Sequence, residues 1–240
     1  MDKLYLVMPA YNEEENIGQV IADWYPVVEQ IGGESRLVVL DDGSKDRTYS
    51  ILKDACADHP LLIPVKKENQ GHGATVLYGY RYALEQEPDY IFQTDSDGQT
   101  DPREFWEFWE QREAYDMVIG HRCRREDGRS RIFVTQVLKL VIRLCFHEDV
   151  TDANTPFRLM KAEVLREQIR LIPENFNLSN VILSVIYAKK GLRVKYIPIT
   201  FRPRQGGENS INLKKIFGIG CQAVRDFWKI NRMLPKDPAR

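Results

Sequence analysis

Short apolar runs and helical stripes alternate through the first half of the chain. Leu4 to Met8 is an apolar run of strand length. Ile17, Val20, Ile21, Trp24, Val28 and Ile31 then recur on one helical face, which Gly32-Gly33 stops. Arg36 to Leu40 predicts a second strand, Asp46 to Asp58 a helix and Leu61 to Val65 a third strand. Gln70-Gly71-His72-Gly73 opens a helix carrying Val76, Leu77, Tyr80 and Leu84. Asp89 to Thr94 predicts a fourth strand, and a helix is expected behind Asp101-Pro102, where Pro suits the first turn. Asn12 and Glu15 have capping-box spacing, with Asn in place of Ser or Thr. Strand and helix in alternation predict an α/β fold with a mostly parallel sheet covered on both faces. Ligands of such sheets lie outside the carboxyl ends of the strands. The loops there are Pro9–Glu15, Asp41–Ser44, Glu68–Gly73 and Asp95–Pro102.

The second half is less regular. Asp116 to Gly120 predicts a strand that runs into His121–Arg131, a loop with arginines at 122, 124, 125, 129 and 131. Ile132 to Phe146 predicts a helix, apolar except for a stripe of Gln136, Lys139 and Arg143. Asp152 to Met160 reads as strand-like, and Leu178 to Lys189 as a helix closed by Gly191. Val194 to Phe201 predicts a strand that Pro198 makes an edge or a bend. Arg202 to Gly207 is a basic loop, and Asn212 to Leu234 an amphipathic helix.

Composition narrows the class. The chain has 240 residues, 43% of them hydrophobic, enough for a sizeable core. Its net charge of −1 provides no global field for nucleic acid, so any anion site is local. Cys56, Cys123, Cys145 and Cys221 have neither metal-ligand nor redox spacing, as expected of reduced thiols in a cytosolic protein. Met1 to Tyr5 leads straight into a strand, so no signal peptide is expected. No run of about 18 or more apolar residues predicts a bilayer span.

Candidate chemistry gathers at Phe92–Pro102. Asp95 and Asp97, one residue apart at a strand's end, offer hard oxygens suited to Mg²⁺ or Mn²⁺, and Gln99 would add a neutral oxygen. An EF-hand is excluded, because Gly98 is fourth in the loop and Trp106 stands at position twelve. An acidic turn with no ligand is the alternative. Asp41 and Asp42 would bond ribose hydroxyls or a base edge, or simply shape a turn. Tyr11 would stack on a base or be a core-edge aromatic. Glu13 reads as a first-turn helix carboxylate, and His72 as a loop or capping residue. The segment Gln70–Gly73 matches neither the dinucleotide GxGxxG pattern nor a P-loop. The arginines have few acidic neighbours in sequence, so bidentate phosphate binding suits them; a solvated basic loop is the alternative.

Taken in order, Pro9-Ala10-Tyr11-Asn12-Glu13, Asp41-Asp42-Gly43-Ser44 with Asp46 and Thr48, Asn69 with Gly71 and Gly73, and Asp95-Ser96-Asp97-Gly98-Gln99 resemble the family 2 inverting glycosyltransferases. The resemblance continues through Ile119–Arg122, Asp152–Arg158, Ile197–Ile199 and Arg202 to Gly206, and is strongest to the polyprenyl-phosphate sugar transferases. It implies a GT-A fold in one domain, 1–211, with a nucleotide-sugar half (1–120) and an acceptor half (121–211), followed by a helix and tail at 212–240. It implies that Pro9, Ala10, Tyr11, Glu13, Val39, Asp41 and Asp42 hold the nucleoside. Asp95, Ser96, Asp97 and Gln99 would hold the diphosphate and a Mg²⁺ or Mn²⁺ ion. Arg122, Arg131, Arg202 and Arg204 would grip the phosphates, with Asp97, Arg122 and Arg202 as catalytic residues. The implied donor is a UDP- or GDP-sugar and the implied acceptor a polyprenyl phosphate.

Two departures bear on this reading. Thr155-Pro156-Phe157-Arg158 stands where the family often has Ser-Gly-Phe-Arg. Relatives that glycosylate hydroxyls carry a late acidic base, and here only Glu174 is acidic in that region. A sugar hydroxyl needs a base, whereas a phosphate monoester is already ionised, its second pKa being ~6. The alternatives are transfer to a hydroxyl through Glu174 and a non-catalytic nucleotide-sugar module. A lipid acceptor further implies a peripheral protein on the cytoplasmic face of a membrane. It would be held there by Ile132–Phe146 and Asn212–Leu234 or by a membrane-protein partner.

Overall fold

The structure, a computed structural model, describes residues 2–122, 129–202 and 224–232. Seven strands form its sheet: β1 (Leu4–Ala10), β2 (Arg36–Asp41), β3 (Leu62–Lys66), β4 (Tyr90–Thr94), β5 (Met117–Arg122), β6 (Phe157–Lys161) and β7 (Val194–Ile199). Their spatial order is β3-β2-β1-β4-β6-β5-β7. All neighbours run parallel except β6, which is antiparallel to both β4 and β5. The helices are α1 (Ile17–Ile31), α2 (Thr48–Ala55), α3 (His72–Glu85), α4 (Phe105–Glu110), α5 (Arg129–Phe146), α6 (Ala162–Ile169) and α7 (Ser179–Lys189). A further helical stretch, α8, covers 224–232.

Two cores flank the sheet. Leu4, Leu6 and Met8 of β1 face Ile17, Trp24, Phe105 and Phe108 from α1 and α4. Tyr5 and Val7 face the other way, onto α3, α5, α6, α7 and α8. With both faces covered, every β1 residue is buried, which is why the strand reads as a continuous apolar run. Phe92 is the hub of the first core, in edge-on contact with Phe105 and Phe157 at 4.9 and 4.8 Å.

Several expectations change. Asn12 caps nothing: its φ is 53°, its Oδ1 accepts from the Lys45 N–H, and α1 starts later, at Ile17. Asn12 instead staples the first loop to the second, since its backbone N–H also donates to Ser44 Oγ at 2.9 Å. The second helix starts later than expected because Asp46 folds back on Thr48, accepting from its N–H and hydroxyl, and it ends earlier, at Ala55. Helix α5 begins three residues before Ile132, at Arg129. Helix α6 directly follows β6 and was not anticipated. Pro198 lies on β7, which among the described residues pairs only with β5 at the sheet's edge, as the edge reading requires. Of the helix expected at 212–234, only 224–232 falls within the described residues.

Candidate active site

β1, β2 and β4 run parallel and side by side, so their carboxyl ends open onto one mouth. Asp41 ends β2, in register with Ala10 of β1 and Lys66 of β3. Its carboxylate is fully buried. Oδ1 accepts from the Ser44 N–H at 3.3 Å, and Oδ2 has no hydrogen-bond partner among the described residues. A buried carboxylate oxygen without a donor is costly, by roughly 1–3 kcal/mol. A nucleoside N–H or ribose hydroxyl would satisfy it.

Asp42 does different work. Its Oδ1 accepts from Lys67 Nζ and the Gln70 N–H, its Oδ2 from the Gly71 N–H, and its carbonyl from Asn69 Nδ2. Burial acts to raise its pKa, but Lys67 and the Gln70 N–H outweigh that and hold it below the usual carboxylate value. The carboxylate is therefore occupied in clamping the Glu68–Gly73 loop. Gly43 makes the close approach possible: its φ is +70°, and an added Cβ would lie 2.9 Å from the Asn69 nitrogen.

Pro9 and Ala10 are buried at the end of β1, and Tyr11 is exposed just beyond them. Glu13 is buried; its N–H donates to Thr48 Oγ1 and its Oε2 accepts from Asn16 Nδ2. Val39 lies in the core on the α1 side with no exposure, so its side chain sits beneath the mouth rather than in it.

Asp95 follows β4. Its Oδ1 accepts from His72 Nε2 at 2.9 Å and from Gln93 Nε2 at 3.2 Å. Desolvation by the groups packed beside this half-exposed ring opposes the charged imidazole, but Asp95, with Asp97 and Asp42 behind it, raises the His72 pKa above its ordinary value. His72, read as a loop or capping residue, is thus a partner of the first carboxylate. Only its place in a loop at the sheet's carboxyl end hinted at that. Ser96 is buried, and the Thr94 and Thr100 hydroxyls close the loop's base at 2.9 Å. Asp97 Oδ1 accepts from the Gln99 N–H at 3.1 Å.

The loop is tied to the chain's later half. Gln99 Nε2 donates to the Arg202 carbonyl at 2.7 Å, and the Arg202 N–H donates to the Gln99 carbonyl at 2.8 Å. The Arg202 guanidinium donates to Asp101 Oδ2, which Arg103 also engages. Arg103 first, and Arg202 after it, hold the Asp101 carboxyl down at about 2. Arg122 forks onto Asp152 at 3.0 and 2.9 Å and lies over the Phe201 ring, leaving 15% of its side chain exposed against 38% for Arg202. Arg202 is thus the more accessible of the two. The side chain of Arg131 and all of Arg204 lie outside the described residues.

Arg158 is a site-region residue whose role the sequence did not reveal. It is fully buried, and its guanidinium donates to the carbonyls of Ala153, Thr155 and Asn180 and to Ser184 Oγ. It fixes the turn that carries Asp152, and so the Arg122 fork. Glu174 lines a cavity of about 560 Å³ with Tyr78, Arg81 and Tyr82. Asp95, Asp97, Arg122 and Arg202 are not among the residues lining that cavity.

The donor set suits a hard divalent ion. No cluster of three or more His, Cys, Asp or Glu side chains suited to a metal occurs among the described residues. Two carboxylates at a mouth are what Mg²⁺ or Mn²⁺ needs when phosphate oxygens and water fill its other positions. Asp95 Oδ2 has no partner among the described residues, so the pair fits such an ion.

Residues 5–169 match the family model described as Glycosyl transferase family 2. This chain belongs to glycosyl transferase family 2. The matched span of this family 2 glycosyltransferase holds all four mouth loops, Arg122 and Arg158; Glu174 and Arg202 lie beyond it. The chain is 23% identical over 217 residues to the undecaprenyl-phosphate 4-deoxy-4-formamido-L-arabinose transferase of Pectobacterium atrosepticum, covering 89% of this chain and 64% of that protein. It therefore spans just under two thirds of that relative's length. To the undecaprenyl-phosphate mannosyltransferase of Micrococcus luteus it is 26% identical over 218 residues, covering 88% of each. The structure of glucosyl-3-phosphoglycerate synthase from Mycobacterium tuberculosis, in complex with Mn²⁺, UDP-glucose and glycerol 3-phosphate, superposes with a TM-score of 0.69 at 19% identity, covering 98% of this chain and 82% of that one. The family 2 chain shares the GT-A fold with it.

Proposed function

We propose that this glycosyltransferase moves a sugar, with inversion, from a nucleoside diphosphate to a polyprenyl phosphate, using Mg²⁺ or Mn²⁺. The observation that carries the reading is the buried Oδ2 of Asp41, without a donor among the described residues, at the same sheet mouth as the Asp95–Asp97 pair. A nucleoside fits the first and a diphosphate–metal unit the second. The named relatives act on undecaprenyl phosphate, and the GT-A neighbour binds UDP-glucose and Mn²⁺.

In this reading Asp41 accepts from the nucleoside and Tyr11 covers its base. Asp95, Ser96, Asp97 and Gln99 face the diphosphate. The metal, when bound there, supplies positive charge to the departing diphosphate. Arg202 exchanges Asp101 for a phosphate, and Arg122, held by Asp152, lends a fixed cation. An acceptor phosphate oxygen forms a bond to the anomeric carbon from the face opposite the diphosphate. The bond from that carbon to the diphosphate oxygen breaks, and the nucleoside diphosphate leaves with the electron pair. No proton need be removed from an ionised acceptor, so this reading gives Glu174 no part in the reaction.

The test is transfer from radiolabelled UDP- and GDP-sugars to a short polyprenyl phosphate with Mn²⁺. Wild-type transfer, abolished in Asp95→Ala and in Asp97→Ala, is expected. Undiminished transfer by the double variant overturns the reading. Transfer to a sugar hydroxyl that Glu174→Gln abolishes would instead establish the hydroxyl acceptor.

A lipid acceptor calls for contact with a bilayer. α5 and α8 pack through Phe146 and Phe227, with ring centroids 5.4 Å apart. Outward they present Val137, Leu140, Leu144 and Trp228, flanked by exposed Lys139, Arg225, Lys229 and Arg232. Apolar anchors among cations suit an anionic membrane surface. Among the described residues no helix is long and apolar enough to cross a membrane.

A further inference from the structure

We propose that Tyr80, acting through the carboxamide of Gln93, is a positioning residue for Asp95. The chain of contacts is short, and its Tyr80 and Gln93 members are buried. The Tyr80 hydroxyl donates to Gln93 Oε1 at 3.3 Å, and Gln93 Nε2 donates to Asp95 Oδ1 at 3.2 Å. Tyr80 on α3 and Gln93 on β4 both have no exposure to solvent.

A carboxamide has one accepting end and one donating end, so its orientation matters. The Asp95 carboxylate can only accept, so it requires the NH₂ end, which turns Oε1 inward. There the Tyr80 O–H supplies the donor that the buried Oε1 needs. Without that hydroxyl Oε1 is left buried and unpaired, and the orientation that holds Asp95 is weakened. His72 alone does this less well, because its ring is half exposed. With both donors on Oδ1, the carboxylate keeps Oδ2 for a ligand, as outer-shell partners do for metal-binding carboxylates. Gln93 also sits opposite Arg158 in the β4–β6 ladder, which places the relay in the rigid centre of the sheet rather than in a loop.

The inference rests on the reading of Asp95 as a ligand of the nucleotide–metal unit. The experiment titrates Mn²⁺ into the purified full chain with UDP or GDP present, following free Mn²⁺ by electron paramagnetic resonance. Thermal melts accompany each variant. Gln93→Met keeps the volume and removes the donor, so it is expected to weaken Mn²⁺ binding roughly ten- to a hundredfold. Tyr80→Phe, which removes one oxygen, is expected to weaken it roughly three- to tenfold. Tyr187→Phe is the control. Its hydroxyl is equally buried and has no partner among the described residues, so binding stays within about twofold of wild type. Adding Tyr80→Phe to Gln93→Met is expected to cost nothing further in Mn²⁺ affinity, because the phenol acts only through the carboxamide. A merely structural tyrosine would leave Mn²⁺ affinity unmoved while lowering the melting temperature.

Wild-type affinity in folded Tyr80→Phe and Gln93→Met overturns the relay and leaves the proposed function standing. Failure of the wild type to bind Mn²⁺ with either nucleotide overturns both.

Discussion

Gly73 stands at the start of α3, where a methyl group would run into the backbone of Asn177. Gly73→Ala must push the segment around Asn177 away or shift the first turn of α3, which carries His72. Overpacking of this kind costs about 2 kcal/mol, so a clear fall in melting temperature is expected, with weakened nucleotide binding. Arg158 is the opposite case, a charge held by carbonyl dipoles rather than by a carboxylate. Arg158→Lys supplies fewer donors and leaves buried carbonyls of Ala153, Thr155 and Asn180 short of partners. A loss of about 3 kcal/mol in urea unfolding is expected. Activity should fall as well, because the same turn carries the partner of Arg122.

At the level of elements, β7 is held to β5 by more than its ladder. Asp116 Oδ2 accepts from the Arg193 N–H and its Oδ1 from Arg193 Nη2, both at 2.9 Å, with Lys161 Nζ nearby at 3.9 Å. Burial acts to raise the Asp116 pKa, but the Arg193 side chain and N–H outweigh it and the net shift is downward. A carboxylate depressed on folding stabilises the protein above its unfolded pKa of ~4, and that contribution is lost as pH falls through the lower folded value. Asp116→Asn should therefore cost about 1 kcal/mol at neutral pH, allowing for solvent screening of the Arg193 head. The difference between variant and wild type should shrink toward zero as pH falls below about 4. A gap that persists unchanged to pH 2 in acid-titrated melts would show that the clamp is not ionic.

For the whole molecule, the prediction concerns the face made by α5 and α8. Leu144 is 65% exposed and Trp228 55%, on helices whose other sides are buried in the core. Flotation with liposomes containing anionic lipid is expected for the wild type and should be lost in Leu140→Glu with Leu144→Glu. Neutral liposomes should recover less protein, because the flanking cations lose their partners. Wild-type protein that stays at the bottom of the gradient would remove the membrane from the proposed function.

The sequence by itself determined the alternation of strands and helices, the carboxyl-end loops and the acidic pairs within them. Those signals are local: an apolar run, a helical stripe, a turn residue at a fixed offset. It also carried the family motifs, since Asp41, Asp95 and Asp97 stand at strand ends whatever surrounds them. Only the tertiary structure decided which carboxylates are spent inside the protein. Asp42 and Asp41 are neighbours of one type, yet one is clamped by Lys67 and two backbone N–H groups while the other keeps a buried oxygen that no described residue engages. Nothing within a few residues of either distinguishes them, because Lys67, Gln70 and Gly71 arrive from the loop after the neighbouring strand β3. The antiparallel β6, the Asp152 partner of Arg122 and the Tyr80–Gln93–Asp95 chain are of the same kind. Each joins residues that are distant or unremarkable in sequence and meet only when the sheet closes.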